Sequence, residues 1–173
     1  MQLYLVRHGI AQERTDEAVR ADSERRLTPK GKQRATSVAE GLAAMGCKPD
    51  RIATSPLCRC EETARILAKA LCSEVPYEVC ALLAPGAEAE ELVAWLQQCR
   101  GDSVMVVGHM PDMAEIASDL LATGGGVRIT FKKAAVCCIV FDGPPGKGAG
   151  RLQWLLQPRQ FRALAGRRKD VSS

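Results

Sequence analysis

The chain contains two histidines, His8 and His109, and both sit in the same local pattern. His8 follows the apolar run Leu3-Tyr4-Leu5-Val6 by way of Arg7, and His109 follows Val104-Met105-Val106-Val107 by way of Gly108. A third short run, residues 51–54, leads into Ser55-Pro56 and then Arg59. If these runs are parallel strands of one open α/β sheet, their carboxyl ends share the crevice in which such sheets bind ligands. Taken singly, a histidine after a strand is more often a polar loop residue, and an arginine in a first helical turn is usually solvated against the helix dipole. Accidental convergence of both histidines and two arginines on one sheet edge is the weaker account.

Two guanidiniums and two imidazoles suit a tetrahedral phosphoryl group. Arginine offers planar, permanently charged donors that match phosphate oxygens in pairs, and it keeps its charge beside a histidine that must be neutral to attack. Phosphoryl transfer asks mainly for positioning and charge stabilisation. A histidine nucleophile divides hydrolysis into two displacements, with water taking the phosphoryl group in the second. The symmetry of the two loops does not decide which histidine attacks. No metal is needed, and the sequence has no clustered carboxylate site to hold one. No other cofactor is expected.

The elements that must position these residues follow an α/β pattern, with short apolar runs alternating with amphipathic stretches. Thr28-Pro29 predicts an N-cap with proline at the first helical position. Ala35, Val38, Ala39, Leu42 and Met45 continue at helical spacing until Gly46. Ser55-Pro56 repeats that opening, with Leu57, Cys60, Ala64, Leu67 and Leu71 on the apolar face. Residues 77–80 form a weaker strand, and a helix is predicted over 88–99, with another opening at Pro111. Residues 104–107, apolar on both faces, predict a central strand. Residues 134–141 and 152–156 flank the turn-rich Gly143-Pro144-Pro145-Gly146-Lys147-Gly148, which predicts a β-hairpin. That glycine–lysine cluster lacks the spacing of a phosphate-binding loop.

With 173 residues, one domain is expected, from 1 to 158, followed by a basic C-terminal tail over 159–173 that reads as solvated or frayed. Aromatics are only 4% of the chain, so a base-stacking surface has little to be built from and no nucleic-acid partner is expected. No stretch approaches the length of a membrane span. The apolar run at residues 3–6 is too short for an export signal, so a cytoplasmic monomer is expected. The eight cysteines then read as reduced thiols.

Leu5-Val6-Arg7-His8-Gly9 resembles the nucleophile motif of the histidine phosphatase superfamily, the group that includes phosphoglycerate mutases and acid phosphatases. Residues 55–64, reading Ser-Pro-Leu-Cys-Arg-Cys-Glu-Glu-Thr-Ala, resemble its second motif, and Val106-Val107-Gly108-His109 its third. The resemblance implies a phosphoglycerate mutase-like, three-layer αβα sandwich with a mostly parallel central sheet. It implies His8 as the phosphorylated nucleophile, and Arg7, Arg59 and His109, with Gly9, around the phosphate.

Compact length, Arg7-His8-Gly9-Ile10-Ala11, the segment 22–31 and Gly108-His109-Met110-Pro111 are similar to the short, SixA-type phosphohistidine phosphatases. The mutase branch would place a glutamate after the strand ending near Cys80, where this chain reads Ala81-Leu82-Leu83-Ala84-Pro85-Gly86, with no carboxylate until Glu88. A phosphate ester expels a basic alkoxide unless an acid protonates it, whereas a ring-protonated phosphohistidine expels neutral imidazole. The expected substrate is therefore phosphohistidine on a protein, such as a phosphotransfer domain or a phosphotransferase-system protein. Asp22 is a candidate acid or water-orienting group and Arg25 a candidate phosphate or substrate contact if their loop folds over the crevice. The alternatives are a small-metabolite phosphomonoesterase or mutase and a noncatalytic phosphate-recognition module.

Overall fold

The computed structural model describes residues 1–15, 21–71, 77–86, 88–124 and 126–170, the last four of them through the backbone only. Six strands form one sheet: β1 (Gln2–Arg7), β2 (Arg51–Thr54), β3 (Tyr77–Val79), β4 (Ser103–Gly108), β5 (Val136–Val140) and β6 (Arg151–Leu156). Their order across the sheet is β3-β2-β4-β1-β5-β6. β3, β2, β4 and β1 run parallel, while β5 is antiparallel to β1 and pairs with β6 as the predicted hairpin.

Five helices cover the sheet: α1 (Pro29–Ala44), α2 (Cys58–Leu71), α3 (Ala89–Gln98), α4 (Asp112–Leu121) and α5 (Pro158–Asp170). The period-two alternation of the strands decides which helix lies where. Leu3, Leu5, Val104 and Val106 turn one way, against Leu92 and Leu96 of α3 and Met113, Ile116 and Leu120 of α4. Tyr4, Val6, Met105 and Val107 turn the other way, against Val38 and Leu42 of α1, Ala64 and Leu67 of α2 and Phe161 of α5. The result is the predicted three-layer αβα sandwich, with β1 and β4 buried on both faces as parallel strands require.

Local signals place the helices that border the crevice. The Thr28 hydroxyl accepts from the Gly31 N–H at 3.0 Å, which is the predicted cap. Gly31 itself allows α1 to press on the loop after β1, since a β-carbon there would fall 2.0 Å from the Ile10 carbonyl oxygen. All seven described cysteines are free, and Cys72 lies outside the described residues. No described helix is long and apolar enough to cross a membrane.

The predicted tail needs correction. Residues 158–170 form α5, whose Phe161 is fully buried and meets the Trp154 ring edge-on at 6.2 Å. α5 lies so close to α1 that a β-carbon on Gly41 would sit 2.7 Å from the Phe161 carbonyl oxygen. Composition hid this because most side chains in the stretch are polar or basic, while one turn-spaced apolar pair, Phe161 and Leu164, suffices to anchor the helix. Residues 171–173 of that stretch lie outside the described residues. Phe161→Ala is expected to lower stability by about 3–5 kcal/mol, read by denaturant unfolding. A loss below about 1 kcal/mol would mean that α5 is a loosely attached appendage.

Candidate active site

The sheet register brings the three loops to one level. Arg7 on β1 lies opposite Gly108 on β4, and Val107 lies opposite Thr54 on β2. The hydrogen-bonded ladder runs one residue past each strand, from His8 N–H to the Gly108 carbonyl and from Ser55 N–H to the Val107 carbonyl, both at 2.9 Å. His8, His109 and the start of the turn that carries Arg59 therefore leave neighbouring strands at the same edge, as the sequence pattern predicts.

His8 is 7% exposed, and its Nδ1 lies 2.6 Å from the Gly9 carbonyl oxygen. A carbonyl only accepts, so the ring proton is on Nδ1 and Nε2 carries the lone pair. Burial lowers the His8 pKa to about 3; the Gly9 carbonyl opposes this, and the charges of Arg59 and Arg7 and the nearby His109 reinforce it. The imidazole is neutral at physiological pH, in the tautomer that leaves Nε2 free to attack.

The loop after β1 is pinned from two sides. Gly9 N–H donates to the Thr63 hydroxyl at 3.1 Å, and that hydroxyl donates to the Arg59 carbonyl at 2.7 Å. Thr63 thus couples α2 to the His8 loop. Gly9, expected among the phosphate contacts, instead has its N–H taken by Thr63 and its carbonyl by His8, so both its polar groups are spent within the fold. On the other side, Ala134 N–H reaches the carbonyls of Arg7 and His8 at 3.1 and 2.9 Å. Ala134 adopts a left-handed conformation, φ 67°, to do so, at a cost of roughly 1–2 kcal/mol for a residue with a β-carbon.

Both arginines are only partly satisfied. Arg7 Nη1 donates to the Phe131 carbonyl at 2.6 Å, and Arg59 Nη1 and Nη2 donate to the Asp22 carbonyl and carboxylate at 2.7 and 2.9 Å. The buried Nε–H groups of Arg7 and Arg59 have no partner among the described residues. Leaving these two charged donors unmatched is costly, and the guanidiniums that carry them lie close enough to His8 to act on its charge.

The 22–25 segment does fold over the crevice, but Asp22 does not serve there as a resident acid. Hydrogen bonds from Arg25 and then Arg59 hold its carboxyl below the usual carboxylate range, so it is an ionised acceptor standing on Arg59. Arg25 is committed to that same segment, with Nη1 at 3.0 Å from Asp22 Oδ1 and Nε at 2.7 Å from the Gln12 carbonyl. His109 is 5% exposed, with Nε2 3.1 Å from the Leu83 carbonyl and Nδ1 3.5 Å from Asp112 Oδ1. Sequence reasoning missed Asp112, the Leu83 and Phe131 carbonyls and Ala134. Thr63 was legible within the second motif. Asp112, three residues after His109 at a helix start, carried a weak signal, and the backbone carbonyls carried none. No cluster of metal-ligating side chains occurs among the described residues.

The depressed pKa makes a sharp expectation. Followed by nitrogen NMR, His8 should keep its proton on Nδ1 and its lone pair on Nε2 from pH 7 down to pH 5, and titration near 6.5 would contradict the buried, cation-flanked setting. The sign for stability follows: the unfolded imidazole binds its proton near 6.5, so the His8 contribution is full above that pH and lost as the pH falls toward 3.

Comparison with known proteins agrees with this architecture. The sequence profile of the histidine phosphatase superfamily (branch 1) matches residues 3–84. The chain is 36% identical over 156 residues to an uncharacterised protein of a Picosynechococcus species, covering 88% of this chain and 89% of that one. It is 27% identical over 161 residues to the phosphohistidine phosphatase SixA of Escherichia coli strain K12, covering 91% and 94%. The solved structure of the protein histidine phosphatase SixA complexed with tungstate superposes with a TM-score of 0.81 at 26% identity, over 92% of this chain and 99% of that one. These likenesses support phosphatase chemistry at an edge already built for an oxyanion. On the combined strength of that profile, these relatives and the shared fold, the chain belongs to the histidine phosphatase superfamily.

Proposed function

We propose that this protein hydrolyses phosphohistidine carried on another protein, through a phospho-His8 intermediate. The observation that carries the reading is the neutral His8, with its Nε2 lone pair free, set beside the half-buried Arg7 and the buried Arg59, whose Nε–H groups have no partner among the described residues. In the first displacement His8 Nε2 attacks phosphorus, the phosphorus–nitrogen bond of the substrate breaks, and the substrate histidine leaves as neutral imidazole. In the second, water attacks phosphorus, inorganic phosphate departs and His8 is restored. Arg7 and Arg59 balance charge on the phosphoryl oxygens throughout. The phosphoryl group replaces the Asp22 carboxylate on Arg59, one anion displacing another. His109 completes the crevice, and its proton on Nε2 is directed by the Leu83 carbonyl.

Phosphohistidine is favoured over an ester by the leaving group. The 81–83 turn presents the Leu83 carbonyl to His109, and Asp22 is held ionised by Arg25 and Arg59, so neither supplies a proton to an alkoxide. The likeness to SixA, a phosphohistidine phosphatase whose structure was solved with the tetrahedral oxyanion tungstate, points the same way.

His8→Ala is expected to abolish both turnover and covalent labelling by phosphohistidine protein. Labelling that persists, or that moves to His109, would refute the nucleophile assignment. Arg59→Ala should lower kcat by on the order of 10²-fold or more, as removal of a charge-stabilising donor does elsewhere; a rate within a few-fold of wild type would contradict its role. The substrate assignment is checked by side-by-side turnover of phosphohistidine protein and phosphoserine or sugar phosphate esters, and comparable ester turnover would favour a phosphomonoesterase.

A further inference from the structure

Two cavities of about 460 and 130 Å³ lie on the α1–α5 side of the fold and share Arg34 and Arg162 as walls, so they form one groove. Lys132 and Arg159 line the larger part and Lys30 the smaller, and no carboxylate of the described residues lines either. None of these five cations makes an ion pair among the described residues. Some surface cations elsewhere are matched, with Arg26 and Lys32 within 4 Å of Glu62 and Arg51, Lys147 and Arg151 paired with Glu78, Glu90 and Asp142, while Arg14, Lys48, Lys69, Arg100 and Arg128 make no ion pair among the described residues either. What distinguishes the groove is that five such cations line adjoining concavities.

The groove opens at the catalytic end of the sheet. Val136 and Leu156, which pair at the β5–β6 end, align with Val6 near the carboxyl end of β1, so β6 delivers α5 to the crevice edge. Gln157 ties the groove to the site by accepting from Lys132 N–H at 3.0 Å and donating to the Thr130 carbonyl at 2.8 Å. Between those two residues lies Phe131, whose carbonyl holds Arg7. Lys30 begins the turn of α1 that rests on Ile10 through Gly31. On the α3–α4 side the charge reverses. A cavity of about 350 Å³ next to Leu83 and Asp112 is lined by Glu88, Glu90, Glu115 and Asp119, with Lys147 alone set against Glu90 and Asp119.

We propose that the basic groove formed by Lys30, Arg34, Lys132, Arg159 and Arg162 is the docking surface for an acidic face of the protein that carries the phosphohistidine. This rests on the protein-phosphohistidine reading above and adds to it where and with what charge the partner sits. A phosphohistidine borne on a protein brings a surrounding surface with it, and five cations spread over two adjoining cavities on the Arg7 side offer an acidic surface complementary charge. The acidic α3–α4 flank repels the same partner from the opposite side, so the two flanks together fix its orientation over His8. Exposed charges of this kind act mainly on encounter and on discrimination between partners, and their effect is screened by salt.

The test uses the full chain and its triple variant Arg34→Gln/Arg159→Gln/Arg162→Gln on two substrates, phosphoramidate and a histidine-phosphorylated phosphotransfer domain with an acidic surface around its phosphohistidine. The expected result is unchanged phosphoramidate turnover, a fall of about tenfold or more in kcat/KM on the domain, mostly through KM, and a weaker salt dependence of that rate than in wild type. Neutralising the domain's surface carboxylates should reproduce the loss with wild-type enzyme and add little with the variant. Equal kcat/KM for wild type and variant on the domain overturns the groove and leaves the phosphohistidine reading standing. Wild type that hydrolyses phosphoramidate but spares the domain overturns that reading and the groove with it. An equal loss on both substrates assigns the arginines to the fold or the crevice and overturns the docking role. So does binding to phosphatidylserine vesicles that the variant loses while its turnover of the domain is unchanged.

Discussion

The parallel pairing of β1 with β4 is the constraint on which the rest of the molecule depends. A parallel pair is stable only when covered on both faces, so placing these two strands at the centre requires one layer from α1, α2 and α5 and another from α3 and α4. The same pairing sets Arg7 against Gly108, which makes the residues that follow, His8 and His109, neighbours. Because β2 joins the other edge of β4 in parallel, the turn carrying Arg59 starts at the same height. One hydrogen-bonded register therefore accounts both for the layered core and for the meeting of four chemically capable side chains that are distant in sequence.

Burial then sets the chemistry at that edge. Removing His8 from water disfavours its cationic form, and two guanidiniums nearby disfavour it further, so the imidazole is kept neutral without a base to deprotonate it. The Gly9 carbonyl fixes the tautomer. The arginines face the opposite demand, since their charges cannot be shed and need an anion. Asp22 fills that need at Arg59, which makes the crevice a site already organised around negative charge. Substrate binding becomes an exchange of one anion for another, and it needs less reorganisation than creating a cationic pocket afresh.

The surroundings of the crevice are electrically polarised. Basic side chains from α1, α5 and the segment before β5 lie on one flank, and carboxylates from α3, α4 and the loop before α3 lie on the other. The layers of the sandwich carry this asymmetry, because each flank belongs to a different face of the sheet. The architecture that buries the nucleophile thus also presents two surfaces of opposite sign beside it, and a substrate bearing its own surface would feel both.

Much of this was written in the sequence. The alternating and all-apolar runs gave the strands, Thr28-Pro29 gave the start of α1, and the residues after three strand ends pointed to His8, His109 and Arg59, because periodicity and capping are local signals. α5 was not legible, since the buried Phe161 and half-buried Leu164 are outnumbered by polar residues and only packing beside Gly41 makes Phe161 core. The roles of Asp22 and Gly9 were not legible either. Whether a carboxyl donates a proton or stands ionised on an arginine, and whether an N–H meets phosphate or a threonine, depends on partners 37 and 54 residues away. Sequence by itself determined which groups were available and at which strand ends they would emerge. The tertiary structure decided their protonation, their tautomers and the charge on either side, because those depend on burial and on neighbours that only folding supplies.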